Sequence, residues 1–101
     1  MVESKKEKSY SKHFVIRNKL GLHARPAALF VQTANRFESD IRVYKGRQKV
    51  DGKSIMGIMT LAAGNGSSIT VHAAGKDARQ AIDAFIKLFA TNFGEEEGKG
   101  S

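Results

Sequence analysis

The apolar residues of this 101-residue chain recur with two different periods, and this change of period restricts the fold more than any other feature. Segments 13–17, 39–45 and 68–73 alternate apolar and polar residues, which is the pattern of half-buried strands. Gly46 follows the second of these segments, and we predict that 47–51 returns beside it as a hairpin partner. The sequence therefore predicts four short strands.

Helical spacing dominates the rest of the chain. Segments 24–37 and 76–93 repeat apolar residues every three or four positions, which indicates two amphipathic helices, and Gly94 is a suitable stop for the second. Segment 54–61 is short and has little polar face, which predicts a small additional helix. The order β-α-β-β-α-β-α and the amphipathic strands indicate an α+β two-layer open-faced sandwich, with a four-stranded antiparallel sheet and three helices on one face.

The length and composition favour one small domain. We expect the domain to span 13–94, between a flexible basic tail at 1–12 and a flexible acidic tail at 95–101. The chain has no cysteine, which excludes disulfides and thiolate metal sites and agrees with a cytoplasmic location. Because the first twelve residues are polar, we expect no signal peptide, and the sequence has no apolar run of the ~20 residues that a membrane span needs.

Positive charge is concentrated in the expected domain. Residues 13–94 contain 12 Lys and Arg but 5 Asp and Glu, and the formal net charge of the whole chain is +7. A basic domain attracts nucleic acid, phosphate groups or acidic protein surfaces, and charge alone does not choose among them.

The segment GLHARPAA (21–28) places a histidine and an arginine at the predicted start of the first helix. Because Pro26 is favoured in a first helical turn, His23 falls at or beside the N-cap. Helix ends bind anions and disfavour the imidazolium, so we expect His23 to be mostly neutral near pH 7 and nucleophilic. Our hypothesis is that backbone amides and the Arg25 guanidinium hold a phosphoryl group there. The simpler alternative is an unusual cap beside a solvated arginine.

The other two histidines show no pattern of a metal site. His13 and His72 each fall on a strand face that we expect to meet solvent. No spacing of histidines or carboxylates supports zinc ligation, so we predict no metal and no cofactor.

Ser54 precedes the short helix, where a serine N-cap is expected. A structural cap is the simpler interpretation. A phosphate on Ser54 would instead add a charge of about −2 beside Met56 and Met59. Methionines suit adaptable docking surfaces and core filling equally well, so a docking role for these two stays open.

Two motifs together resemble those of the HPr family, the histidine-containing phosphocarrier proteins of the bacterial phosphoenolpyruvate-dependent sugar phosphotransferase system. GLHARPAA resembles the family's active-site motif, and KSIMGIMTLAA (53–63) resembles its regulatory-serine motif, with His23 and Ser54 31 residues apart. The resemblance extends over residues 11–93, which is nearly all of the predicted domain.

This resemblance implies a monomeric carrier that is not itself an enzyme. It implies that His23 accepts a phosphoryl group from enzyme I on Nδ1 and passes it to sugar-specific IIA units, while Arg25 steadies the phosphohistidine. It also implies that Ser54 is a substrate of a bifunctional HPr kinase/phosphorylase. Apolar contacts with partners are implied for Leu22, Ile55, Met56 and Met59.

Two other functions stay open from the sequence. A nucleic-acid-binding module would use the positive charge and the hairpin at 44–49, but it needs exposed aromatic residues, and only Tyr10 and Tyr44 are candidates. A regulatory relative of HPr would bind a transcription factor after phosphorylation of Ser54 and would transfer nothing; such relatives usually lack the histidine, which His23 supplies here. The motifs do not separate sugar transport from nitrogen regulation.

Overall fold

Three helices lie against one face of a four-stranded antiparallel sheet in the computed structural model, which describes residues 8–94. This arrangement confirms the predicted α+β open-faced sandwich. The elements are β1 (Ser9–Val15), α1 (Ala24–Ala34), β2 (Asp40–Lys45), β3 (Gln48–Asp51), α2 (Ile55–Thr60), β4 (Ser68–Ala74) and α3 (Ala78–Ala90), followed by a 3₁₀ turn (Asn92–Gly94).

The strands lie in the order β1-β4-β2-β3, so the first and last strands along the chain pair beside each other. Along one row of the sheet, His13 faces Thr70, Thr70 faces Tyr44, and Tyr44 faces Lys49. These side chains belong to the open face, because successive residues of a strand point to opposite sides. The buried residues of the helix-covered face are Phe14, Ile41, Val43, Ile69, Val71 and Ala73.

Aromatic contacts join the two longer helices to each other and to the sheet. The rings of Phe30 in α1 and Phe85 in α3 stack with centroids 4.5 Å apart, and both side chains are fully buried. Phe89 of α3 stacks on Phe14 of β1 with centroids 4.1 Å apart. Such pairs contribute about 0.5–1.5 kcal/mol beyond their buried area. The core therefore lies between the sheet and these helices.

Strand β1 corrects the expected boundary of the N-terminal tail. It begins at Ser9 rather than at His13, so residues 9–12 belong to the sheet, with Ser9 opposite Ala74. The sequence pattern missed this part because backbone hydrogen bonds to β4 form whatever the side chains, and residues 9–12 are all exposed. The predicted tails otherwise fall on residues 1–7 and 95–101, which lie outside the described residues.

Both longer helices are shorter than their apolar periodicity suggested. Helix α1 ends at Ala34, and Phe37 is half-buried beyond it. Helix α3 ends at Ala90. Its C-cap is Thr91, and Asn92 takes the left-handed conformation directly after it, with φ 54°, so Gly94 ends the following 3₁₀ turn and is not the predicted stop of α3.

Asp77, the residue before α3, fastens this helix to the segment that leads into β2. Its carboxylate accepts hydrogen bonds from the backbone amides of Glu38 and Ser39, at 2.9 and 3.0 Å, and from the Ser39 hydroxyl. The Ser39 hydroxyl, together with these amides, holds the pKa of Asp77 below its usual value, although burial acts in the opposite direction. The charged carboxylate is thus the form that the fold favours.

Asp77→Asn is expected to lower the free energy of unfolding by about 1–2 kcal/mol at pH 7, because a charged acceptor is lost at a partly exposed site. The lowered pKa stabilises the native protein above the unfolded pKa, and this stabilisation disappears as the pH falls through the folded pKa. Urea unfolding at pH 7 and near pH 2.5 therefore should show a difference between the two proteins that shrinks in acid. An equal difference at both pH values would contradict this assignment.

Candidate functional site

His23 is the N-cap of α1, as the sequence predicted. Its backbone is extended, with φ −80° and ψ −170°, and its carbonyl accepts the first helical hydrogen bond from the Ala27 amide at 2.9 Å. The imidazole makes no capping hydrogen bond and is half-buried. Because first-turn amides have no acceptor within their own helix, this end of α1 suits an anion bound beside the imidazole.

The first turn of α1 adds positive charge to this helix end. Arg25 is exposed, Pro26 is buried, and the turn has no acidic residue. A guanidinium forms paired, charge-assisted hydrogen bonds with phosphate oxygens, and the helix dipole acts in the same direction. His23 and Arg25 together therefore offer a nucleophile and an anion-binding group on one helical turn.

A tight backbone contact fixes the loop that precedes His23. Gly21 has a φ of +74°, and a Cβ placed on it would lie 2.6 Å from the Ala63 carbonyl oxygen and 2.7 Å from the Gly64 Cα. The next amide, that of Leu22, donates to the same Ala63 oxygen at 3.0 Å. Only glycine satisfies both the left-handed φ and this close approach, so the position is part of the site's construction.

Further hydrogen bonds join the same two loops. The Asn18 carbonyl accepts the Gly21 amide at 3.0 Å, which closes a turn, and also the Asn65 side-chain amide at 3.3 Å. Gly66 donates its amide to the carbonyl of Ile16 at 2.8 Å. Segment 62–66, which follows α2, therefore positions the loop that carries His23.

Ser54 is the N-cap of α2, and its Oγ accepts the Gly57 amide at 3.0 Å. The preceding turn is also fastened: the Asp51 carboxylate accepts the Lys53 amide at 2.9 Å, and the Lys53 ammonium donates to the Phe37 carbonyl at 2.8 Å. The predicted cap is thus present. The half-buried side chain of Ser54 lies at the start of a helix that packs against α1.

The structure corrects one of the predicted docking residues. Leu22 is only 5% exposed and belongs to the core, because its segment is hydrogen-bonded to Ala63. The exposed leucine of this loop is Leu20, at 75%. The sequence could have indicated it, because Leu20 is an apolar residue between Lys19 and Gly21, in the segment that joins the first predicted strand to the first predicted helix. The other predicted docking residues are exposed: Ile55 at 39%, Met56 at 70% and Met59 at 40%.

The open face of the sheet gives little support to nucleic-acid binding. Tyr44 lies on this face, whereas Tyr10 falls on the side of β1 that also carries Phe14. Stacking of single-stranded bases needs a platform of several aromatic rings. The charged residues on the outward positions of the described strands also balance in sign: Arg42, Lys49, Asp40 and Asp51.

Two structural features are absent from the described part of the chain. Within residues 8–94, no three or more histidine and carboxylate side chains are grouped so as to hold a metal ion. Over the same residues, no helix combines the length and the apolar character needed to cross a bilayer.

Comparison with known proteins identifies close relatives over nearly the whole described chain. The family model described as PTS HPr component phosphorylation site matches residues 10–91. Phosphocarrier protein HPr of Cupriavidus necator is 49% identical over 82 residues, which cover 81% of this chain and 92% of that protein. HPr-like protein Crh of Halalkalibacterium halodurans is 53% identical over 75 residues, which cover 74% of this chain and 89% of that protein.

A solved structure agrees with both the fold and the sequence. The crystal structure of HPr-C-His from Thermoanaerobacter tengcongensis superposes with a TM-score of 0.83 at 50% identity. The superposition covers 86% of this chain and 98% of that one. The similarity therefore includes the sheet, the helices and the loops around His23.

Gly21→Ala is expected to destabilise the protein by about 2–4 kcal/mol, because it combines a strained φ with a backbone clash. Urea unfolding measures the loss, and amide shifts in residues 18–24 and 62–66 should show the displaced loops. Two matched variants separate the causes. Gly46→Ala introduces a strained positive φ without a steric clash and should lower the free energy of unfolding by about 1 kcal/mol. Gly64→Ala introduces neither a strained φ nor a clash. If all three variants behave alike, the close contact at Gly21 is not the cause.

Proposed function

The chain belongs to the HPr family, and from this premise we propose that His23 carries a phosphoryl group between proteins of the phosphotransferase system. The donor is enzyme I, and the acceptors are sugar-specific IIA units. The observation that carries this proposal is the position of the imidazole at the N-cap of a helix, where it is partly accessible and does not cap the helix itself. The protein is a covalent carrier whose turnover depends on its partner proteins.

Each transfer exchanges one bond to phosphorus for another. The imidazole Nδ1 of His23, the atom that the family resemblance implies, attacks the phosphorus of the phosphoryl group that the donor carries. The new N–P bond forms as the bond between the donor and phosphorus breaks, and the donor atom keeps that bond's electron pair. The first-turn amides and Arg25 then hold the negative phosphoryl oxygens. In delivery, a nucleophile of the acceptor attacks the phosphorus, the N–P bond of His23 breaks, and Nδ1 keeps the electron pair.

Charge segregation around His23 supports partners with acidic faces. Segments 8–37 and 52–76 contain no Asp or Glu, and together they include α1, α2 and both loops of the site. Arg17, Lys19 and Arg25 lie in the first of these segments. Complementary charge accelerates encounter and favours the right orientation, so we expect enzyme I and the IIA units to present acidic surfaces here.

Exposed apolar side chains supply the docking contacts in this proposal. Met56 and Met59 lie on α2, and methionine adapts its shape to partners of different contour. Leu20 joins them from the loop before His23 and replaces the buried Leu22 in this role. A partner that contacts both α2 and this loop would bring its own reactive group over His23.

We further propose that Ser54 is a regulatory site for an HPr kinase/phosphorylase. Its hydroxyl already accepts the Gly57 amide, so a phosphate would stay near a helix N-terminus, which favours negative charge. The added charge of about −2 would lie next to Ile55 and Met56 at the docking surface. Phosphorylation would therefore weaken docking of acidic partners while the fold is preserved.

A purely regulatory role is the second candidate, and the similarity to Crh proteins favours it. In that role only Ser54 would be phosphorylated, and His23 would transfer nothing. The presence of His23, Arg25 and the glycine-dependent loop argues for transfer instead.

We assign the phosphocarrier domain to residues 9–94, and the absence of cysteine fits the cytoplasmic location that we propose.

Incubation with enzyme I and phosphoenolpyruvate is expected to place one acid-labile, base-stable phosphate on the chain. His23→Ala should abolish this labelling, because the nucleophile is removed. Arg25→Ala should lower kcat/KM for transfer by about 10- to 100-fold, since a charge-assisted contact to the phosphoryl group is lost. His13→Ala and His72→Ala serve as controls and should be labelled normally. A wild-type chain that stays unlabelled beside an active donor contradicts the transfer proposal.

With ATP and an HPr kinase/phosphorylase, we expect acid-stable phosphate on Ser54, and Ser54→Ala should prevent it. The phosphorylated protein should accept the phosphoryl group from enzyme I with a KM at least about tenfold higher, because like charges meet at the docking surface. Ser67→Ala is the matched control at a half-buried serine outside α2. Labelling of Ser54 together with none of His23 would favour the regulatory candidate instead.

A further inference from the structure

The turn AGNGS (63–67) contains an asparagine–glycine pair that has no part in the proposed transfer. Asn65 and Gly66 are the central residues of a β-turn, in which the Ser67 amide donates to the Gly64 carbonyl at 3.0 Å. Gly66 has a φ of +90°, and a type II turn requires a positive φ at this third position. The chain has four asparagines, and Asn65 is the only one that precedes a glycine.

An asparagine side chain that precedes glycine can react with its own backbone. The backbone nitrogen of the following residue loses its proton to solvent and attacks the side-chain carbonyl carbon, Cγ. A five-membered succinimide ring forms as the bond between Cγ and Nδ2 breaks, and Nδ2 takes up a proton and leaves as ammonia. Water then opens the ring at either carbonyl, which leaves aspartate or β-linked isoaspartate. Glycine favours the reaction because it has no Cβ to shield its nitrogen.

The turn at Asn65 is open to solvent. Both Asn65 and Gly66 are exposed, and a Cβ placed on Gly66 would have no atom within 4 Å beyond its neighbours in the chain. Asp51–Gly52 can form the same ring by losing water, but Gly52 is buried, and a Cβ there would clash with Ile41. We propose that Asn65 is a modification site at which the chain deamidates spontaneously, at a rate controlled by the contact between the two loops.

Two hydrogen bonds of this contact hold the reacting groups. The Gly66 amide, which is the nucleophile, donates to the Ile16 carbonyl at 2.8 Å. Asn65 Nδ2, which is the leaving group, donates to the Asn18 carbonyl at 3.3 Å, beyond the usual range for such a bond. The reaction therefore requires segment 62–66 to separate transiently from 16–18, and an exposed turn opens at a low free energy.

The products alter the contact that positions His23. An ionised aspartate only accepts hydrogen bonds, so its carboxylate would face the Asn18 carbonyl oxygen without a proton to share. It would also be the one carboxylate within segment 52–76. Isoaspartate adds a backbone atom before Gly66 and displaces the Gly66 amide from Ile16. Deamidation therefore weakens docking of acidic partners, a consequence that rests on the proposed function of His23.

Incubation of the full chain in mildly alkaline buffer, followed by peptide mapping with mass spectrometry, tests the reaction. Asn65 should be converted at least about tenfold faster than Asn35, which is also exposed but precedes Arg36. Asp51 should give no isoaspartate over the same period. Asn65→Gln is the matched variant, because it keeps the amide donor but needs a less favourable six-membered ring, and it should release far less ammonia. Equal rates at Asn65 and Asn35 would overturn the proposal.

Gly21→Ala tests whether the loop contact controls the rate. It should accelerate conversion of Asn65 at least about threefold at a temperature where the variant is folded, because it displaces the two loops. Gly46→Ala is the control, since its strain lies in the turn between β2 and β3, and it should react at the wild-type rate. Equal rates in all three proteins would show that the contact does not control the reaction.

Asn65→Asp reproduces one product and tests the consequence for transfer. Its kcat/KM for phosphoryl transfer from enzyme I should fall about three- to tenfold, since it places a negative charge beside the loop of His23. Asn35→Asp adds the same charge at the far end of α1 and should transfer normally. Normal transfer by Asn65→Asp would refute this consequence. A wild-type chain that accepts no phosphoryl group would refute the carrier function, while peptide mapping would still decide the reaction at Asn65.

Discussion

The contact between two backbone segments, 18–22 and 62–66, is the constraint on which the proposed site depends. The Ala63 carbonyl oxygen accepts the Leu22 amide and lies where any side chain at position 21 would have to be placed. The same carbonyl oxygen thus accepts a hydrogen bond from Leu22 and packs closely against Gly21. Because α2 ends just before 62–66 and α1 begins just after 18–22, this contact sets the position of His23 relative to α2.

The site is supported by the core without being part of it. Phe30 and Pro26 bury one side of α1, while His23 stays half-buried and Arg25 exposed at its end. A small domain has only about 5–15 kcal/mol of net stability, so it cannot leave many polar groups buried without partners. Placing the proposed anion-binding groups at an accessible helix end avoids that cost and leaves them exposed to solvent.

The surface around His23 and the open face of the sheet differ in charge. The segments around His23 contain no carboxylate, whereas the outward residues of the sheet carry both signs. The first surface suits acidic partners, and the second has no net preference for an anion. The overall positive charge by itself is compatible with nucleic acid as a partner. The positions of the charged residues show that the positive excess lies around His23 and not on the open face of the sheet.

The sequence by itself determined the order of the elements, the open-faced architecture and the caps at His23 and Ser54, because periodicity, proline placement and cap chemistry act over a few neighbouring residues. Only the tertiary structure decided that β1 begins at Ser9, since its partner β4 is about sixty residues away. It also decided that Leu20 is exposed while Leu22 is buried, and that Asp77 binds the segment before β2. These outcomes depend on contacts between distant segments, and no local pattern records which distant atoms will face a given residue.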